Sequence, residues 1–188
     1  MYGKFFKRIL DVVLSSIGLI LLSPLMLVVS LFIFLEDRGP VIFRQRRVGK
    51  EGASFQVLKF RSMPVNTGDV ESARANGLAV TRTGRIIRRT NIDEIPQLWN
   101  VLRGEMSLVG PRPPLPSQVA LCRLRESNGA LRCAPGLTGL AQVNGYDGMP
   151  DAEKAGYDGK YASSISFLTD LRIVLKTFGY LKRRPPVY

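Results

Sequence analysis

There is no histidine in this 188-residue chain, which excludes the side chain most used for proton transfer near neutral pH and most zinc chemistry. Any catalysis must rest on carboxylates, Lys, Tyr, Ser or Cys. Cysteine is scarce as well: Cys122 and Cys133 have no CxxC spacing, so a disulfide framework is excluded and they read as reduced, structural cytosolic thiols. Acidic residues number 15 against 27 basic ones, a formal charge of +12, and that excess points to a polyanionic partner such as nucleic acid, anionic lipid or a phosphorylated substrate. Nucleic acid is set aside, because no aromatic-interleaved basic stripe, zinc module or RNP-like block is present. Internal repeats and low-complexity tracts are missing, and the length allows one domain with a real core plus an anchor.

The longest uncharged run, Val12 to Leu35, would measure about 36 Å as one helix, enough to span a bilayer. No small-residue cleavage site follows it and it exceeds a usual signal-peptide core, which argues against a cleaved signal. Lys4, Lys7 and Arg8 precede the run while Arg38, Arg44, Arg46 and Arg47 follow it, so both ends obey the positive-inside tendency for the same side. Ser23-Pro24 lies near its middle, where proline removes a donor and clashes with the preceding turn, and a serine hydroxyl can satisfy the freed carbonyl. These features predict a re-entrant helical hairpin, broken at Ser23-Pro24, that enters and leaves on the cytoplasmic face. A kinked single-pass helix is the alternative.

Beyond the anchor, Val41 to Phe43 and Phe55 to Phe60 are β-prone runs separated by Gly49 and Gly52, the pattern of a small β-hairpin. Residues 64–80 read as a polar surface loop with one short helix. Ile95, Leu98, Trp99 and Leu102 recur at helical spacing, with Gly104 as the stop and Trp99 assigned to the core. Pro111, Pro113, Pro114 and Pro116 impose a rigid extended loop that presents Arg112. Gln118 to Leu131 fits a basic helix and Ala134 to Gly148 a glycine-punctuated loop. Ile165, Leu168, Leu171, Val174, Leu175, Phe178 and Leu181 form one helical stripe, suited equally to capping the core or lying on a membrane surface.

The stretch Arg85 to Asn100 carries the chemistry. Asp93 and Glu94 follow Arg82, Arg85, Arg88 and Arg89, and Pro96 is tolerated only in a first helical turn. The pair is therefore expected at the positive end of a helix, with Asp93 at a low pKa, able to hold Mg²⁺ or to attack phosphorus. The structural alternative is a capping box, Asn91 with Glu94 three positions on. Arg88, Arg112 and the anchor favour chemistry at a membrane, although arginines of this kind also serve as solvated or lipid-facing surface.

Four blocks carry a family resemblance: Lys59 to Met63, Thr90 to Pro113, Pro135 to Gly145 and Ser166 to Thr177. In collinear order they resemble the bacterial sugar transferases, the monotopic polyprenyl-phosphate phosphoglycosyl transferases, in a minimal single-domain form. The resemblance implies an α+β, mainly helical fold: a re-entrant anchor over residues 1–38 and a cytoplasmic-face catalytic domain over 39–188 with amphipathic interfacial helices, at the bacterial inner membrane. It implies a nucleotide sugar, with UDP expected, and polyprenyl phosphate as substrates, membrane lipid as a partner and downstream glycosyltransferases as further ones, in building a bacterial glycan such as an exopolysaccharide. Asp93 would form a covalent phosphosugar and bind Mg²⁺, Glu94 would assist as base or positioning group, and Lys59, Arg88 and Arg112 would neutralise phosphate charge. A non-enzymatic basic membrane scaffold and a phosphohydrolase with water as acceptor are the competing readings.

Overall fold

A computed structural model describes residues 2–67, 80–145 and 149–181. Residues 68–79, 146–148 and 182–188, the last including Lys182, Arg183 and Arg184, lie outside the described residues. Among the described residues the fold is mainly helical, with two small two-stranded sheets.

The apolar run forms α1, Lys7–Glu36, a single helix of 30 residues long and apolar enough to cross a membrane by length and composition. Ser23-Pro24 does not divide it: the helix continues through Pro24. The local reason is visible, because Pro24 cannot donate to the carbonyl of Ile20 four residues back, and the Ser23 hydroxyl donates to that carbonyl instead at 2.8 Å. One stripe of α1 faces the protein. Asp11 and Ser15 are buried, Gly18 lies against Leu98, and Val29 and Ile33 pack with Phe60 and Ile87, while most of the remaining Leu, Ile, Val and Phe side chains are exposed.

Both ends of α1 are bound to the same globular body. At the start, the Lys7 ammonium pairs with Asp170 at 2.6 Å, Arg8 donates to the carbonyls of Val101 and Leu102, and Asp11 accepts from the Leu108 amide at 3.0 Å. At the finish, Glu36 accepts from the amides of Arg82 (2.6 Å) and Thr83 (2.8 Å), and Asp37 accepts from the amide of Val65 at 3.0 Å and binds Arg61. Several charges that flank the apolar run are thus engaged inside the protein. Lys7, Arg8 and the buried Arg47 hold the fold together, and Arg38, Arg44 and Arg46 remain exposed.

The hairpin comprises β1, Ile42–Val48, and β2, Ser54–Phe60, paired antiparallel from Ile42 opposite Phe60 to Val48 opposite Ser54. Its turn uses positive φ at Glu51 and Gly52. β1 runs further than its β-prone core because pairing with β2 recruits Arg44 to Val48, turning Gln45 and Arg47 inward. Next come α2 (Arg82–Arg89), α3 (Gln97–Arg103) and the short β3 (Ser107–Val109). In α3 the buried residues are Gln97, Leu98, Asn100 and Val101, whereas Trp99, expected in the core, is 52% exposed. Asn100 decides this rotation. Fully buried, it accepts from the Leu58 amide and donates to the Gln56 carbonyl and Glu105, fastening α3 to β2.

The expected basic helix is α4, Val119–Ser127, shorter than predicted because Gly129 adopts a left-handed conformation. Within the expected glycine loop, β4 (Gly136–Thr138) pairs in parallel with β3, and α5 (Leu140–Asn144) follows. The two chains cross too closely for side chains: a Cβ on Gly136 would lie 2.1 Å from the Gly110 nitrogen. α6, Asp151–Ser163, precedes α7, Phe167–Leu181. α7 buries Asp170 and Ile173 and leaves Phe167, Leu168, Leu171, Leu175 and Phe178 exposed, so most of its predicted stripe faces outward.

Candidate active site

Asp93 and Glu94 lie in a single 3₁₀ turn, Ile92–Glu94, between α2 and α3. This corrects the expected position at an α-helix N-terminus, because α3 begins only at Gln97, after Pro96. The capping-box alternative is not taken either: Asn91 sits at φ 55° and ψ 17°, and its side chain caps nothing. Glu94 is occupied elsewhere. Its Oε1 accepts from the Lys59 ammonium at 2.6 Å and from the Arg112 guanidinium at 3.0 Å.

Three separate elements deliver these groups. Lys59 comes from β2, Arg88 from α2 and Arg112 from the proline-rich loop after β3, and all line one cavity of about 1560 Å³ with Asp93 and Glu94. The five residues singled out for phosphate chemistry are therefore brought together, while Ser23 and Pro24 sit exposed on α1 outside its lining. The cavity continues along apolar side chains that include Leu14 and Leu22 of α1 and Val174 and Phe178 of α7.

The two adjacent carboxylates are in opposite electrostatic states. Burial alone would raise Glu94, but the charges and hydrogen bonds of Arg112 and Lys59 hold it well below the usual carboxylate range. Asp93 goes the other way, and the expectation of a low pKa is overturned. Burial pushes it up to about 6 against the attraction of Lys59, with the neighbouring Glu94 charge adding to the rise and Arg88 and Arg112 opposing it. Arg88 itself is lowered by burial and supported by Asp93, and its Nε donates to the Ser62 hydroxyl at 2.8 Å.

Among the described residues Asp93 has no hydrogen bond or ion pair, and no group of three metal-capable side chains occurs. That donor set does not make a protein cage. It fits Mg²⁺, which keeps waters and commonly takes one or two carboxylates together with substrate phosphates. Sequence reasoning missed Ser62, and also Arg125, whose Nη1 donates to the carbonyl of Arg112 at 2.9 Å. Neither bears a local signal, since each acts on a residue brought near only by folding.

Comparison with known proteins gives the family of the chain. Residues 2–184 match the family model described as bacterial sugar transferase. The chain is 42% identical over 181 residues to a UDP-glucose:undecaprenyl-phosphate glucose-1-phosphate transferase of Klebsiella pneumoniae, covering 92% of this chain and 39% of that protein. A protein of the same name from Caulobacter vibrioides is 44% identical over 180 residues, covering 91% and 67%. The exopolysaccharide production protein ExoY of Rhizobium meliloti is 38% identical over 194 residues, covering 93% and 84%.

Proposed function

This chain belongs to the bacterial sugar transferase family, and on that premise we propose that it is a phosphoglycosyl transferase. It moves a sugar 1-phosphate from a UDP-sugar to undecaprenyl phosphate, giving a polyprenyl diphosphate sugar and UMP. The observation that carries the reading is the division between neighbouring carboxylates: Glu94 is neutralised by two cations, and Asp93, in the same cation-lined cavity, has no hydrogen bond or ion pair among the described residues.

An oxygen of ionised Asp93 attacks the β-phosphorus of the nucleotide sugar. The bond from that phosphorus to the oxygen bridging it to the α-phosphate breaks, and the electron pair leaves with UMP. In the second step an oxygen of the polyprenyl phosphate attacks the same phosphorus and the bond to Asp93 breaks, restoring the carboxylate. A Glu94 carboxylate held at low pKa is a poor base, so its part is to hold Lys59 and Arg112 at the phosphate position. Arg88, anchored by Ser62, adds charge on the α2 side. Asp93 would hold Mg²⁺, which supplies charge neutralisation on the diphosphate when bound.

Residues 1–38 act as an anchor that enters and leaves the bilayer on the cytoplasmic side of the inner membrane, with 39–188 as the catalytic domain. The support is mechanical. A helix crossing the bilayer would carry one end away from the domain, breaking either the Arg8 and Asp11 contacts or those of Glu36 and Asp37. The exposed apolar face of α7 would lie on the same surface. The product is a membrane-bound acceptor for glycosyltransferases that extend it.

The test uses the full chain in lipid nanodiscs with a panel of nucleotide sugars. UMP release should require undecaprenyl phosphate for turnover, and Asp93→Asn should stay folded and membrane-bound with transfer abolished. Donor alone should leave a phosphosugar mass on wild type and none on Asp93→Asn. Normal turnover by that variant, or turnover independent of the lipid phosphate, overturns the proposal.

A further inference from the structure

The loop that presents Arg112 has a peculiar problem of anchorage. Pro111, Pro113 and Pro114 have no amide donors, so apart from the Arg112 amide the backbone of this segment can be held only through its carbonyls. Four consecutive carbonyls are in fact each met by a donor. Pro111 accepts from the Gly136 amide at 2.9 Å, Arg112 from Arg125 at 2.9 Å, Pro113 from Arg47 at 3.1 Å and Pro114 from the Val48 amide at 2.9 Å.

The Arg125 contact differs from the others in what stands behind it. Arg125 on α4 is ion-paired with Asp158 on α6, Nε to Oδ2 at 2.8 Å and Nη2 to Oδ2 at 2.6 Å, with the two side chains only 3% and 1% exposed. Two buried charges are a costly way to join two helices, and an apolar pair of similar volume often does so at least as well. What an apolar pair cannot do is donate to a carbonyl. Arg125 spends one edge of its guanidinium on Asp158 and aims the remaining nitrogen at the backbone from which the Arg112 side chain departs to reach Glu94 at 3.0 Å.

We propose that Arg125, oriented by Asp158, is a positioning residue for the reaction, fixing the Arg112 backbone so that its guanidinium meets Glu94 and the transferring phosphate. The inference rests on the transferase reading above. Loss of the Arg125 donor leaves the Arg112 loop free to shift, and displacements of the order of 1 Å in such a group cost about 100-fold in rate.

The test is a double-mutant cycle on the full chain in nanodiscs. Arg125→Met with Asp158→Leu removes both buried charges together and is expected to fold, judged by circular dichroism and thermal melting. It should lower kcat about 10- to 100-fold with KM for both substrates changed less than about threefold. In an Arg112→Ala background the same pair of changes should cost less than about twofold, because its route of action is already gone. Arg125→Lys, which keeps a charge opposite Asp158 but lacks the second nitrogen, is carried through the same cycle and decides the matter if the apolar pair does not fold. Full multiplication of the losses in the Arg112→Ala background, or no loss in the wild-type background, overturns the proposal. Absence of lipid-dependent UMP release by the unaltered chain would instead remove the transferase reading itself.

Discussion

Asp93→Asn should make the protein more stable at neutral pH, and the gain should vanish in acid. Asp93 is half-buried and its folded pKa is about 6, against an ordinary value of 3.8. Roughly two pK units at 1.36 kcal/mol each give a cost of about 3 kcal/mol for holding the ionised carboxylate in the cavity. Water reaching the half-buried group reduces this to about 1–3 kcal/mol, or about 2–10 °C in Tm for a chain of this size. The sign follows from protonation. Below 3.8 the carboxyl is neutral in both folded and unfolded chains and costs nothing, and above about 6 it is charged in both and the full cost applies. The assay is thermal unfolding of wild type and Asp93→Asn in nanodiscs without substrates at pH 4, 6 and 8, the difference growing between the first two and then levelling. A variant less stable than wild type at pH 8, or a difference independent of pH, refutes the assignment of Asp93 as a destabilised, unpaired carboxylate.

The same pKa sets an acid limb in the metal-free protein: the Asp93 carboxyl should protonate as pH drops through about 6, read by infrared titration of its carboxyl band. Arg112→Met removes an attracting charge and should move that acid limb to higher pH; a limb that stays or moves down contradicts the electrostatics. Gly84→Ala puts a methyl 2.0 Å from the Ser62 carbonyl oxygen and should cost about 3 kcal/mol or more, displacing the helix that bears Arg88. Gly156→Ala on α6 meets nothing within 4 Å and should instead raise stability by up to about 1 kcal/mol, both read by thermal melting. Asp170→Asn removes a carboxylate shared by Lys7, Tyr2 and Tyr161, and should lower stability by about 3 kcal/mol and speed limited proteolysis at the N-terminus.

Much of the make-up of the candidate site was legible because it is written locally. An adjacent acidic pair, a proline loop around Arg112, an apolar run with Ser23-Pro24 and two β-prone runs separated by two glycines are patterns within short windows, and each corresponds to a described element. Legibility failed wherever a property depends on a neighbour distant in sequence. Trp99 has the spacing of a core residue, yet Asn100 takes the buried position because its amide is satisfied by β2 and Glu105. The parallel pairing of β3 with β4 could not be read from two three-residue segments separated by a whole helix. Nothing local in the sequence marks Arg125 and Asp158 as a pair, and only packing of α4 against α6 buries them together.

The sequence by itself therefore determined the inventory: a polycationic chain without histidine, an apolar helix, and two carboxylates beside cations suited to phosphate. Tertiary structure decided which carboxylate is which. Neighbours in the chain and nearly identical in chemistry, Asp93 and Glu94 differ because Lys59 and Arg112, from 35 and 18 residues away, donate hydrogen bonds to Glu94 while acting on Asp93 through their charge alone. One carboxylate is thereby fixed as a counter-ion and the other, half-buried and raised in pKa, is left without a hydrogen bond or ion pair among the described residues, a distinction that exists only once the chain has folded.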